Sequence, residues 1–80
     1  MKTKLLYDLK IPANNQNGYY DLFVETNGEM SLEELKNELI KSDKVDMDLK
    51  EDIEFATDYN LENYYMKFFF IKNGFKVIEL

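Results

Sequence analysis

Twelve carboxylates crowd one stretch of the chain, residues 29–62: Glu29, Glu33, Glu34, Glu38, Asp43, Asp46, Asp48, Glu51, Asp52, Glu54, Asp58 and Glu62. Four lysines accompany them, a local balance of −8, whereas the rest of the chain carries six lysines against four carboxylates, or +2. The net charge of −6 over 80 residues is therefore polarised by segment. Acidic oxygens in such number can ligate a cation, exchange protons or attract a basic surface, and their spacing decides among these.

Cation binding is poorly served. Asp43, Asp46, Asp48, Glu51 and Asp52 are oxygen-rich, but a calcium loop needs a D-x-[DN]-x-[DN]-G core, and no glycine lies between Gly28 and Gly74. With no Cys and no His, thiolate chemistry, disulfides and the usual transition-metal ligands are excluded, along with the commonest general base. A glycosidase-like carboxylate pair can be drawn anywhere among twelve acids and so specifies nothing. Two Ser and three Thr are the hydroxyl nucleophiles, and there is no glycine-rich phosphate loop. The expectation is a protein that is not an enzyme and holds neither cofactor nor metal.

Recognition remains. A patch of one sign steers association and selects partners, and helix positions i and i+4 stand about 5–6 Å apart at Cβ, a spacing with which a row of acids can imitate phosphates. The candidate partner-binding residues are Glu33, Glu34, Glu38, Asp43, Asp46, Asp48, Glu51, Asp52, Glu54 and Asp58. The bland alternative is a solvated face that keeps a small protein soluble. Direct nucleic-acid binding is disfavoured, because affinity for phosphates comes from Lys and Arg, and here Arg is absent and Lys outnumbered.

The elements that must position these acids follow from periodicity. Lys4 to Ile11 alternates, with Leu5, Tyr7, Leu9 and Ile11 on one side, and Pro12 stops the strand. Polar residues 13–18 read as a hairpin loop, followed by a second strand from Tyr19 to Thr26 ended by Asn27-Gly28. Ser31-Leu32-Glu33-Glu34 is a capping box, with Met30 and Leu35 at the staple positions, and predicts a helix that buries Leu32, Leu35, Leu39 and Ile40 and ends near Ser42.

Residues 48–59 read two ways. Leu49, Ile53 and Ala56 suit a helix, whereas Ile53, Phe55, Thr57 and Tyr59 alternate as a strand, and the second pattern is the fuller. Tyr64 to Lys72 reads as the strongest strand, and Asn73-Gly74 as a type I′ turn leading to Phe75–Leu80, a C-terminal β-hairpin. The expected fold is a single α+β domain over residues 1–80. It has two layers, an antiparallel sheet with one packed helix in the order β-β-α-β-β-β, or β-β-α-α-β-β if 48–59 is helical. One helix leaves one sheet face bare, so Tyr65, Phe69 and Ile78 either lie under the 41–52 connection or form an exposed apolar patch.

No run of about 18 apolar residues is present, and Met1 to Asp8 turns polar too early for a signal peptide, so a cytoplasmic protein without membrane contact is expected. In size, charge and lack of catalytic apparatus the chain resembles virus-encoded counter-defence proteins such as anti-CRISPR and anti-restriction proteins. That resemblance is one of class and assigns no site residues. It implies an inhibitor that blocks the basic surface of a nucleic-acid-binding protein, such as a defence nuclease, acting as a nucleic-acid mimic. The alternatives are an immunity protein or antitoxin for a basic toxin, and an adaptor that forms a homodimer through a sheet edge or a Phe69/Ile78 face.

Overall fold

The computed structural model describes residues 3–12 and 18–80, so most of the expected 13–18 hairpin loop lies outside it. The elements run β1 (Lys4–Pro12), β2 (Tyr19–Asn27), α1 (Leu32–Lys41), α2 (Met47–Ile53), β3 (Asp58–Glu62), α3 (Met66–Lys72) and β4 (Val77–Glu79). They form an α+β fold with a four-stranded sheet in the order β3-β1-β2-β4.

The β1–β2 hairpin follows its alternation. It pairs antiparallel from Lys4 opposite Asn27 to Pro12 opposite Tyr19. Tyr7, Leu9 and Ile11 of β1 meet Leu22 and Val24 of β2 on one face. Leu35 and Leu39 of α1, Ile53 of α2, Val45, Ala56 and Ile78 close the core over that face. The α1 cap forms as predicted: Ser31 accepts from the Glu34 backbone N–H at 3.2 Å. The Glu34 carboxylate, however, is held by the Ser31 hydroxyl rather than by the Ser31 backbone. Met30 packs against the core cluster that contains Leu35, and its N–H donates to the Tyr7 hydroxyl at 3.0 Å, fixing the entry to α1.

Three expectations are corrected. Residues 47–53 are helix, as in the alternative order, and no strand starts at Ile53, because Asp46 caps the segment by accepting from the Leu49 N–H at 2.8 Å. Ile53 and Ala56 then turn inward and Phe55 stays 64% exposed. The strand begins at Asp58, so Tyr59 alone of the Ile53-to-Tyr59 alternation falls in it.

Second, Tyr64–Lys72 is not a strand, and the C-terminal β-hairpin does not form; α3 stands in its place. Asn73-Gly74-Phe75 is a helix stop: Phe75 N donates to Phe70 O at 2.9 Å and Gly74 N to Ile71 O at 3.1 Å. This is the Schellman pattern, and Gly74 takes its left-handed position at φ +88°. The hydrophobic contact that accompanies the motif is present as Phe70 against Phe75, ring centroids 5.9 Å apart.

Third, the sheet is mixed and the layers are three. β4 pairs parallel to β2, while β3 pairs antiparallel to β1 at the other edge. From β3 to β4 the chain crosses two intervening strands, about 14 Å at the usual strand spacing. A parallel return needs a crossover, which a tight turn cannot make and a helix can. α3 makes it over the face that α1 and α2 leave bare. The Phe70 ring stacks on Phe23 at 4.0 Å, and Leu6 and Phe23 are buried on that side. A hairpin at the sheet edge would have left both in water. Ile78 is buried among the α1–α2 core while Phe69 is 54% exposed on α3, so the expected Phe69/Ile78 face does not exist.

Candidate functional site

Ion pairing divides the chain along the same line as its charge. Each of the four carboxylates outside residues 29–62 is paired: Asp8 and Asp21 with Lys10, Glu25 with Lys4 and Lys67, and Glu79 with Lys67. None of the twelve carboxylates inside that window pairs with a lysine among the described residues. Two of the window's own lysines are turned elsewhere. The Lys36 ammonium donates to the Ala56 carbonyl at 3.1 Å, and that of Lys44 to the Glu79 carbonyl at 2.6 Å.

Nine of the ten candidate residues sit on the layer formed by α1, α2 and their connection. Glu33, Glu34 and Glu38 are exposed on α1. Asp43 and Asp46 lie between the helices, Asp48, Glu51 and Asp52 are on α2, and Glu54 is its C-cap. Asp58 is set apart from them. It opens the edge strand β3 opposite Lys10, which places it on the sheet face that α3 covers.

Several of these acids serve the fold. Glu33 and Glu34 occupy the first turn of α1 and Asp48 that of α2, where a carboxylate complements the helix dipole. Asp46 is the α2 N-cap. Asp52 accepts from the Tyr20 hydroxyl at 2.8 Å, and burial together with that bond raises the Tyr20 pKa.

Glu38, Asp43, Glu51 and Glu54 have no such duty. Each is exposed, and each lacks a hydrogen-bond or ion-pair partner among the described side chains. Glu51 and Glu54 stand at the C-terminal end of α2, where the dipole makes a negative charge unfavourable. Asp48, Glu51 and Glu54 recur every third residue, so they occupy successive turns at about 5–6 Å spacing.

An open cleft of 470 Å³ borders this layer at the N-terminal end of α1, lined by Tyr7, Met30, Tyr59 and Leu61 with Glu29 and Glu34 at its rim. Among the described residues no three acidic side chains converge as a metal site. No described helix is long and apolar enough to cross a membrane.

The sequence reading did not find the outer surface of α3. Tyr65, for which the exposed patch is one of the two expected placements, is 84% exposed, and Phe68, expected within a strand, is 68% exposed on a helix. The available signal was the three-residue spacing of Tyr64, Lys67 and Phe70, which all turn toward the sheet, followed by the Asn-Gly-Phe stop. No protein family, curated protein or solved structure matches the chain.

Proposed function

We propose that the chain is a small protein-binding inhibitor whose α1–α2 layer engages a basic, nucleic-acid-binding surface of a target protein. A defence nuclease opposed by an anti-CRISPR-like antagonist is the class of target that fits this chemistry. The observation that carries the reading is the segregation of ion pairs: each of the four carboxylates outside residues 29–62 has a lysine partner, and among the described residues none of the twelve inside that window has one. A surface selected for solubility alone gains nothing from placing Glu51 and Glu54 at the wrong end of a helix dipole. A surface that must present a row of negative charge to lysines and arginines of a partner requires such placements. Binding then proceeds by electrostatic steering and occlusion, with the acids occupying the positions of phosphates.

The test is capture of targets from lysate by the tagged chain at about 50 and about 500 mM NaCl, since exposed charges are screened over a few Å at the higher salt. A basic protein enriched at low salt, and lost when Glu38, Asp43, Glu51 and Glu54 are changed together to their amides, supports the proposal. No basic protein at low salt, or undiminished capture by the amide variant, removes it.

A further inference from the structure

The cleft beside the N-terminus of α1 combines aromatic walls with unneutralised acids. Two rings from neighbouring strands line it, Tyr7 of β1 and Tyr59 of β3, with centroids 5.3 Å apart and planes tilted by 57°. Tyr59 and Leu61 stand opposite Leu9 and Tyr7, on the sheet face that α1 covers. Met30 lines the cleft from the helix side.

Charge, an unspent donor and a bare strand edge describe what belongs there. Glu29 has no hydrogen-bond or ion-pair partner among the described residues, and Glu34 commits one oxygen to the Ser31 hydroxyl and keeps the other. No lysine lines the cleft, and Lys36 of α1 is turned to the Ala56 carbonyl. Tyr7 is only 2% exposed, and its hydroxyl, which accepts from the Met30 N–H, has no acceptor for its own proton among the described residues. A buried donor left in that state is costly. β3 is an edge strand, and no described strand pairs with its outer side, so main-chain groups run unpaired beside the cleft.

From this geometry we infer that the cleft receives the guanidinium of an arginine carried by an extended segment of a partner protein. The partner is the basic target of the proposed function, on which this assignment rests. A guanidinium is planar, stacks on a tyrosine face and forks onto carboxylates, so it uses both halves of the cleft. A peptide carbonyl beside it takes the Tyr7 proton, and the segment's backbone continues the sheet along β3. The 470 Å³ of the cleft falls in the range of ligand sites, about 300–1,000 Å³. Other occupants fit less well. A phosphate would meet two carboxylates, and an apolar side chain would desolvate them without return. A hard metal ion takes about six to eight oxygens, and no three acidic side chains converge among the described residues.

The test is an NMR titration of the full chain, isotope-labelled, in about 50 mM NaCl. The probes are a blocked tripeptide with arginine between two threonines, its neutral citrulline counterpart, and free arginine. The arginine peptide is expected to saturate with a dissociation constant on the order of 1 mM, shifting the amides of Met30, Ser31, Tyr59 and Leu61. The citrulline peptide is expected to bind at least about tenfold more weakly, and Glu29→Gln, at an exposed position, to weaken the arginine peptide at least about threefold. The variant with amides at Glu38, Asp43, Glu51 and Glu54 should bind it as the wild type does. Shifts that do not saturate, equal binding of the citrulline peptide or of free arginine, or binding kept in Glu29→Gln and lost with the four amides would each overturn the inference. The titration involves no target protein. Absent peptide binding beside salt-sensitive capture of a basic protein therefore removes the arginine cleft alone, whereas peptide binding without such capture counts against the proposed function alone.

Discussion

The Phe70 ring of α3 lies nearly flat on the Phe23 ring of β2, with centroids 4.0 Å apart and planes 14° from parallel. This stack seats α3 on the sheet face that α1 and α2 do not cover. Phe23 is 4% exposed, and Phe23→Ala is expected to cost about 3–4 kcal/mol, the range for a buried Phe. Phe69→Ser, one residue from the stack on the outer face, should stay within about 0.5 kcal/mol. Urea denaturation of the two variants checks both values.

Lys67 is the polar counterpart of that stack. It pairs with Glu25 and Glu79, and Glu25 also accepts from Lys4 and from the Tyr64 hydroxyl. Burial pushes the Glu25 pKa up, but the Lys67 and Lys4 ammoniums more than offset it and hold the group below its ordinary value. The hydrogen bonds to Glu25 and Glu79 raise that of Lys67. The lowered Glu25 pKa means its contribution is present at neutral pH and lost as pH falls through the folded value. The raised Lys67 pKa means its contribution is lost only in strong alkali. Lys67→Met should therefore cost about 1.5–3 kcal/mol at pH 7, the scale of hydrogen bonds to charged groups, and progressively less below about pH 4. Thermal melts of both proteins from pH 3 to pH 8, values spanning about the carboxylate range, read this directly.

Asp8 behaves in the opposite sense. It is 6% exposed, its Oδ2 accepts from Lys10 at 3.2 Å, and its Oδ1 has no hydrogen-bond partner. Burial raises its pKa, against the pull of Lys10 and with the help of neighbouring Asp21. A raised folded pKa favours the native state below the unfolded value, and the advantage is lost as pH rises through the folded one. Asp8→Asn is expected to stabilise the protein by about 1 kcal/mol at pH 7, with the gain vanishing below about pH 4. A loss of stability at neutral pH would mean that the Lys10 bond outweighs the unpartnered oxygen.

Gly74 holds the helix stop at φ +88°, and a Cβ built there meets nothing within 4 Å. The cost of Gly74→Ala is then one of backbone conformation alone, about 1–2 kcal/mol. Chemical denaturation measures it, and NMR carbon shifts of residues 66–72 report whether the segment ahead of it is helical in solution.

The two-stranded hairpin and α1 were legible because their signals are local. Leu5 to Ile11 alternates without interruption, and Ser31 and Glu34 cap a helix whatever surrounds it. α3 was not, because Phe68, Phe69 and Phe70 favour a strand in isolation and Asn73-Gly74 suits a hairpin turn as well as a helix stop. What decides between them is a tertiary need, the cover of Leu6 and Phe23, which no window of sequence contains. α2 is legible as one of two readings, through Leu49, Ile53 and Ala56, but its cap Asp46 is one acid among many in the sequence and does not decide between helix and strand.

The acid-rich segment was visible in the sequence as a count, but not which of its members the fold requires. The structure assigns Asp46 and Asp52 to capping and to Tyr20, and leaves Glu38, Asp43, Glu51 and Glu54 without structural partners among the described residues. Changing these four to amides relieves like-charge repulsion, so the melting temperature should hold or rise by a few degrees, on the order of 1 kcal/mol.

That variant supplies the most direct measurement: its affinity for the captured basic target beside that of the wild type and of Phe69→Ser, at about 50 and about 500 mM NaCl. The four amide substitutions are expected to weaken binding at least about tenfold at low salt, high salt to weaken the wild type to a similar degree, and Phe69→Ser to bind as the wild type does. Binding that ignores both the salt and the amides, and is lost instead with Phe69→Ser, would contradict the proposed function.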